Sequence, residues 1–300
     1  MANLKEIRSR ITSVSSTRQI TSAMKMVSAA KLKRAQDAIV QLRPYSTKLT
    51  SIIQNISASV EVEDNPFAKA GKGQKVLVVP ITSNRGLCGG FNSQLLKKVN
   101  GFITELKSKG YAQITVLSAG KKSHDFFKKT EFNIKGNVLP KNINHLINET
   151  SFEENAKVTE IILDAFLGNQ FDTVYIAYNA FKNAAVQVAT IEQFLPIDLS
   201  SQPAKEASKE KSTELDYIFE PNKEEILNHL IPKALKTQFY KAFIDSNASE
   251  HGARMTAMHK ATDNASELIK ELKLTYNKAR QAAITNEILE IVAGAEALNG

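Results

Sequence analysis

From Leu4 to about residue 58, apolar residues recur every three or four positions. Leu4, Ile7, Ile11 and Val14 come first, then Ile20, Ala23, Val27 and Ala30, then Leu42, Leu49, Ile52 and Ile56. This spacing predicts one long helix with an apolar stripe. No glycine interrupts it, and Pro44 is expected to kink or loosen it rather than end it, because the periodicity resumes beyond. The breaker-rich stretch EVEDNPFAKAGKGQ (61–74) reads as a linker.

After the linker the pattern changes period. Four runs rich in β-branched and aromatic residues, KVLVVPI (75–81), AQITVLS (112–118), DTVYIAY (172–178) and VQVATIEQF (186–194), read as strands. They alternate with helical stretches near 93–109, 121–129 and 152–169. That alternation predicts an α/β, Rossmann-like domain with a mainly parallel sheet over 75–215. SSQPAKEASKEKST (200–213) is a polar loop.

A second long helical pattern fills 220–300. Met255, Met258, Thr262, Ala265, Ile269, Leu272, Tyr276, Ala279 and Ala283 alternate spacings of three and four. Sustained over about four heptads, this is the seam of a left-handed coiled coil, and its alanines let a partner helix approach closely. The natural partner is the N-terminal helix of residues 1–60, lying antiparallel. At about 1.5 Å per residue the two helices would run roughly 115 and 80 Å, well beyond an α/β domain some 30–40 Å across. Past Ala283 the seam fails at Asn286 and Glu290. Ile284, Ile288, Leu289, Ile291, Val292, Ala293, Ala295, Ala297 and Leu298 nevertheless keep several faces apolar. A helix apolar nearly all round must be buried. The tip is expected to fit a socket built by other chains.

Composition changes this picture in one respect. With 42% apolar and 23% charged residues the chain is not of the disordered class. The net charge of +8, however, sits in residues 1–48, which hold ten Lys or Arg against Glu6 and Asp37. The other 252 residues balance, 29 basic against 29 acidic. The positive field therefore belongs to the N-terminal arm, and nucleic acid or an acidic protein surface is its candidate partner. Tyr45 is the one aromatic there, which is poor equipment for stacking bases. The start MANLKEIRSR lacks the apolar core of a signal peptide. No apolar run approaches the roughly 20 residues that cross a bilayer.

Candidate chemistry is sparse. TSNRGLCGGFNS (82–93) lies between a strand and a helix, where many proteins hold phosphate. It has neither the Lys of a P-loop nor the G-x-G-x-x-G spacing of a dinucleotide loop. It reads as a tight turn in which glycine permits unusual backbone angles, with anion binding as the alternative. The five histidines form no metal-ligand pattern, and the single cysteine, Cys88, has no neighbouring His. No metal, cofactor or catalytic residue is expected. Met24, Met26, Met255 and Met258 sit at helical spacing and are expected in the core.

Three segments carry a resemblance. EIRSRI through KLKRAQ (Glu6–Gln36), RGLCGGFN (Arg85–Asn92) and the run from ATDNA to GAEA (Ala261–Ala297) are similar to the gamma subunit of rotary, F-type ATP synthases, and the likeness covers nearly the whole chain. It implies a central rotor shaft without bond chemistry of its own. The coiled coil would stand inside a ring of three catalytic and three non-catalytic head subunits, beta and alpha. The α/β domain would sit against an epsilon subunit and the ion-carrying c-ring, at the cytoplasmic face of a bacterial plasma membrane. It also implies subunit contacts through Arg85 and Cys88 in the loop, and through Arg254, Arg280, Gln281, Thr285 and Glu287 beside the seam. The family's usual Asp before Arg85 is Asn84 here, so a salt bridge made elsewhere by that Asp is expected to be missing.

Overall fold

The structure, a computed structural model, describes residues 4–57, 66–68, 74–111, 113–134, 138–148, 150–197 and 222–299. The polar stretch 200–213 lies outside them, as does most of the 61–74 linker. In chain order the elements are α1 (Leu4–Ser57), β1 (Lys75–Pro80), α2 (Phe91–Ser108), β2 (Gln113–Val116), α3 (Lys121–Phe127), a 3-10 turn (Asn144–Ile147), α4 (Phe152–Leu167), β3 (Thr173–Phe181), β4 (Gln187–Leu195) and α5 (Lys223–Asn299). Pro44 lies inside α1 and Pro232 inside α5, and both helices continue through them. The chain divides into two compact units, Met1–Ala29 with Arg254–Gly300, and Ala30–Ala253.

The first unit is an antiparallel two-helix coiled coil. Arg8 Nη2 donates to the Tyr276 hydroxyl at 2.9 Å, and the hydroxyls of Thr21 and Thr262 meet at 2.9 Å, so ascending α1 means descending α5. On α5, Met258, Ala265 and Ile269 are buried, while Met255, Thr262, Leu272, Tyr276 and Ala279 are half-buried and Ala283 is exposed. The α1 side departs from expectation. Ile20 (60% exposed), Val27 and Met26 point outward, as do Ala23 and Ala30. Besides Leu4, Ser15, Ser22, Met24 and Ala29, the buried or half-buried positions are Ile7, Ile11, Val14, Thr21, Lys25 and Ser28. These fit one alternating three-and-four spacing if exposed Arg18 is counted between Val14 and Thr21. The middle of the seam is therefore polar, and the exposed apolar residues lie off it.

The second unit is built on a four-stranded sheet of order β2-β1-β3-β4. β1 pairs parallel with β2 and with β3, and β4 closes one edge antiparallel to β3. Both faces of β1 are covered, so its run is apolar without alternation. Val76 and Val78 pack toward Leu95, Val99, Ile103 and Leu106 of α2. Leu77, Val79 and Ile81 pack on the opposite side, in a core that takes Leu49, Ile53 and Ile56 from α1, Ile162 and Phe166 from α4, and Leu227, Ile231, Leu235, Phe239 and Phe243 from α5. Phe239 bridges Phe194 of β4 and Phe243, with ring centroids 5.8 and 5.1 Å away. Residues 30–57 and 223–253 of the long helices thus belong to the unit that holds the α/β core.

Candidate functional site

The glycine loop follows β1 directly. Its polar groups are turned on one another. Asn92 Oδ1 accepts from the Ser83 N–H at 2.9 Å, and Asn92 Nδ2 donates to Ser83 Oγ at 2.8 Å and to Cys88 Sγ at 3.1 Å. Ser83 Oγ also reaches the Arg85 carbonyl at 2.6 Å. Of the loop's glycines, Gly89 takes a positive φ of 59°, and Leu87 does the same at 63° without being glycine. Asn84 ties the loop to two neighbours. Its side-chain oxygen accepts from the Lys121 N–H at 2.9 Å, and its nitrogen donates to the Asn144 carbonyl at 2.9 Å and to Asn148 Oδ1 at 3.1 Å. A carboxylate could accept from Lys121 and could not donate to the Asn144 carbonyl. The amide at this position therefore has a local use that needs no salt bridge.

In open α/β sheets ligands bind outside the carboxyl ends of the strands, where the strand order reverses. Here β1 is followed by β2 on one side and has β3 on the other, so that point lies between the ends of β1 and β3. It is occupied by α5. Ser246 Oγ donates to the Ile81 carbonyl at 3.4 Å and Ser249 Oγ to the Asn179 carbonyl at 2.8 Å. Ala253 packs with Cys88 and Phe91 of the glycine loop. Gly252 lies so close to the β3–β4 hairpin that a Cβ there would meet the Ala184 oxygen at 3.0 Å. The place of a dinucleotide is filled by the chain's own helix. Sequence reading missed Ser246, Ser249 and Gly252. Their signal is a set of small residues three apart on one helix face, beside the large apolar residues of the same helix.

The residues expected at subunit contacts fall into three groups. Arg85 is exposed at the loop. Arg280, Gln281, Thr285 and Glu287 are all exposed on the first unit's stretch of α5, and Thr285 Oγ1 bonds back to the Gln281 carbonyl at 3.0 Å. Cys88 (2% exposed) and Arg254 (7%) are buried within the chain. For Cys88 the cause is the packing of Phe91 and Ala253 around the thiol. Every α5 residue from Gln281 to Ala295 is exposed, including Ile284, Ile288, Leu289, Ile291 and Val292. Among the described residues no group of three or more His, Cys, Asp or Glu is placed to hold a metal ion. Among the same residues no helix is long and apolar enough to cross a membrane.

These features define a class: a coiled-coil protein carrying an α/β domain whose ligand crevice is closed by its own C-terminal helix. The family model described as ATP synthase matches residues 3–298. The ATP synthase gamma chain of Flavobacterium johnsoniae is 56% identical over 302 residues, and that of Geotalea uraniireducens 41% over 300, with both chains covered in full in each case. The chain belongs to the ATP synthase gamma chain family. The fold is also that of a chain in the Euglena gracilis mitochondrial ATP synthase, a cryo-EM structure of OSCP, F1 and c-ring in rotational state 3. The TM-score is 0.63 at 21% identity, covering 98% of this chain and 94% of that one. A chain in the Tetrahymena thermophila mitochondrial ATP synthase central stalk and c-ring is similar with TM-score 0.53 and 23% identity, over 81% and 99% of the two chains.

Proposed function

We propose that this chain is the central shaft of a bacterial F-type ATP synthase, a non-catalytic subunit that turns with the c-ring and drives the catalytic sites through their binding states. The observation that carries the reading is the exposure of α5. A helix that presents Ile284, Ile288, Leu289, Ile291 and Val292 to solvent in the free chain is built for a socket. The head of three alpha and three beta subunits supplies that socket. Arg280, Gln281, Thr285 and Glu287 meet its inner wall, and Arg85 faces the head from the loop. The α/β domain holds the epsilon subunit and rests on the c-ring, at the cytoplasmic face of the plasma membrane. Proton transport belongs to the whole complex, and the basic arm of α1 is complementary to acidic surface on the head.

The test is purification by a tag on this chain. Two large nucleotide-binding subunits should come with it in threefold excess, together with ATPase activity. Recovery of the chain alone, or with nucleic acid whose binding falls steeply with salt, would overturn the reading.

A further inference from the structure

A shaft must pass torque as well as stand upright, and the contacts of α5 with the sheet differ in their ability to do so. Most of them are apolar: Leu227, Ile231, Leu235, Phe239, Ala242 and Phe243 bury area against the core. Burial of apolar area has no preferred direction. A hydrogen bond weakens steeply once its angle or length departs from the optimum. Tyr240 and Asn247 of α5 bond to Thr150, before α4, at 3.3 and 3.2 Å, and Lys236 pairs with Glu160 of α4; two further bonds join α5 to the backbone at the strand ends. Ser246 Oγ, on a residue 3% exposed, reaches the Ile81 carbonyl just past β1 at 3.4 Å, and Ser249 Oγ, on a residue 0% exposed, reaches the β3 carbonyl of Asn179 at 2.8 Å. One turn further on, Gly252 abuts the Ala184 backbone of the β3–β4 hairpin, with its Cβ position 3.0 Å from the carbonyl oxygen and 3.2 Å from Cα. Successive residues are three apart, so they form one ridge along the helix.

We propose that Ser246, Ser249 and Gly252 form a torsional key that fixes the rotational setting of α5 about its own axis on the sheet, so that torque carried by the helix is delivered to the α/β domain. The lever arm shows why the serines matter. A serine oxygen stands about 4 Å from the helix axis, so a turn of about 20° displaces it by roughly 1.4 Å, enough to break either bond. The same turn leaves most of the apolar area covered. Gly252 adds a stop in one sense of rotation, because backbone meets backbone there without a side chain between. These are positioning residues, and the proposal rests on the rotor reading above.

The test uses the assembled complex, held by its head, with a bead on the c-ring and rotation stalled. Thermal fluctuation of the bead angle reports torsional stiffness. In Ser246→Ala/Ser249→Ala the angular variance should rise about twofold, because both side-chain bonds from the helix to the strand-end carbonyls are gone. Ile244→Val is the control: it trims a buried residue of the same helix (4% exposed) without touching a hydrogen bond, and it should leave the variance unchanged. An unchanged variance in the serine variant, or an equal rise in Ile244→Val, overturns the key. If the double variant does not assemble, Ser249→Ala alone is measured and decides by the same criterion. A wild-type complex whose bead never rotates with ATP would instead overturn the rotor reading and leave the key unimplicated.

Discussion

A methyl group added at Gly120 would sit 2.1 Å from the Thr82 carbonyl oxygen, and the residue's φ of +100° is one that L side chains rarely adopt. Gly120 opens α3 beside the end of β1, where Thr82 Oγ1 accepts from the Ser123 N–H at 2.9 Å. Gly120→Ala should therefore destabilise the chain by at least about 3 kcal/mol. A urea titration followed by circular dichroism at low protein concentration checks it; a midpoint unchanged from wild type would contradict the geometry. Asp245 gives a pH-dependent counterpart. Burial pushes its carboxyl up to about 6 against the pull of Lys241, while the charge of Glu192 pushes further and Arg43 opposes. The folded pKa lies above the ordinary carboxyl value of 3.8, so the folded state holds the proton longer than the unfolded one. The contribution of this carboxyl to stability is then greatest below about pH 4 and falls as pH rises towards 6, by at most about 3 kcal/mol. Asp245→Asn should remove that slope and raise the melting temperature at pH 7. A wild-type curve flat between pH 4 and 6 would show that the carboxyl is better solvated than its burial implies.

Among the elements, the helices and strands were legible in the sequence because each has one clear period. The apolar run of β1 announced a strand covered on both faces, and the three-and-four alternation on α5 announced a coiled coil. The antiparallel setting of β4 was not legible, since strand direction follows from the short hairpin at 182–186 and not from composition. The facing side of α1 was misjudged for a physical reason. Periodicity marks apolar residues and assumes that they face inward, whereas here Ile20 and Val27 face out and Thr21 and Ser28 face in. The burial of Cys88 and Arg254 was equally hidden, because it depends on residues brought close only by folding. The seam supports a paired expectation. Ile269→Asp places an unpaired charge at a buried position and should cost several kcal/mol. Ala283→Asp, at a position that is already exposed, should stay within about 0.5 kcal/mol. Thermal unfolding of both variants decides; equal losses would mean that the pairing runs further along α5 than its burial indicates.

For the molecule as a whole, the exposed polar residues of α5 gain meaning only in the assembly. Gln281→Ala should leave the amount of shaft per beta subunit unchanged, because the side chain is bare in the free chain. It should lower ATP turnover per complex by a few fold, since one hydrogen bond to the head is worth about 1 kcal/mol. Subunit ratios measured beside ATPase rates separate this from poor assembly. Turnover equal to wild type would return that face of the helix to plain solvated surface.

The bare end of α5 also bears on how a cell keeps count of its parts. A shaft synthesised in excess displays residues 284–292 as an uncovered apolar helix end, which proteases and chaperones engage readily. Inside the socket proposed above the same residues would be hidden. On the socket reading, the feature that suits the helix to its socket would also shorten the life of the free chain, trimming the supply of shafts to the supply of heads without a separate regulator.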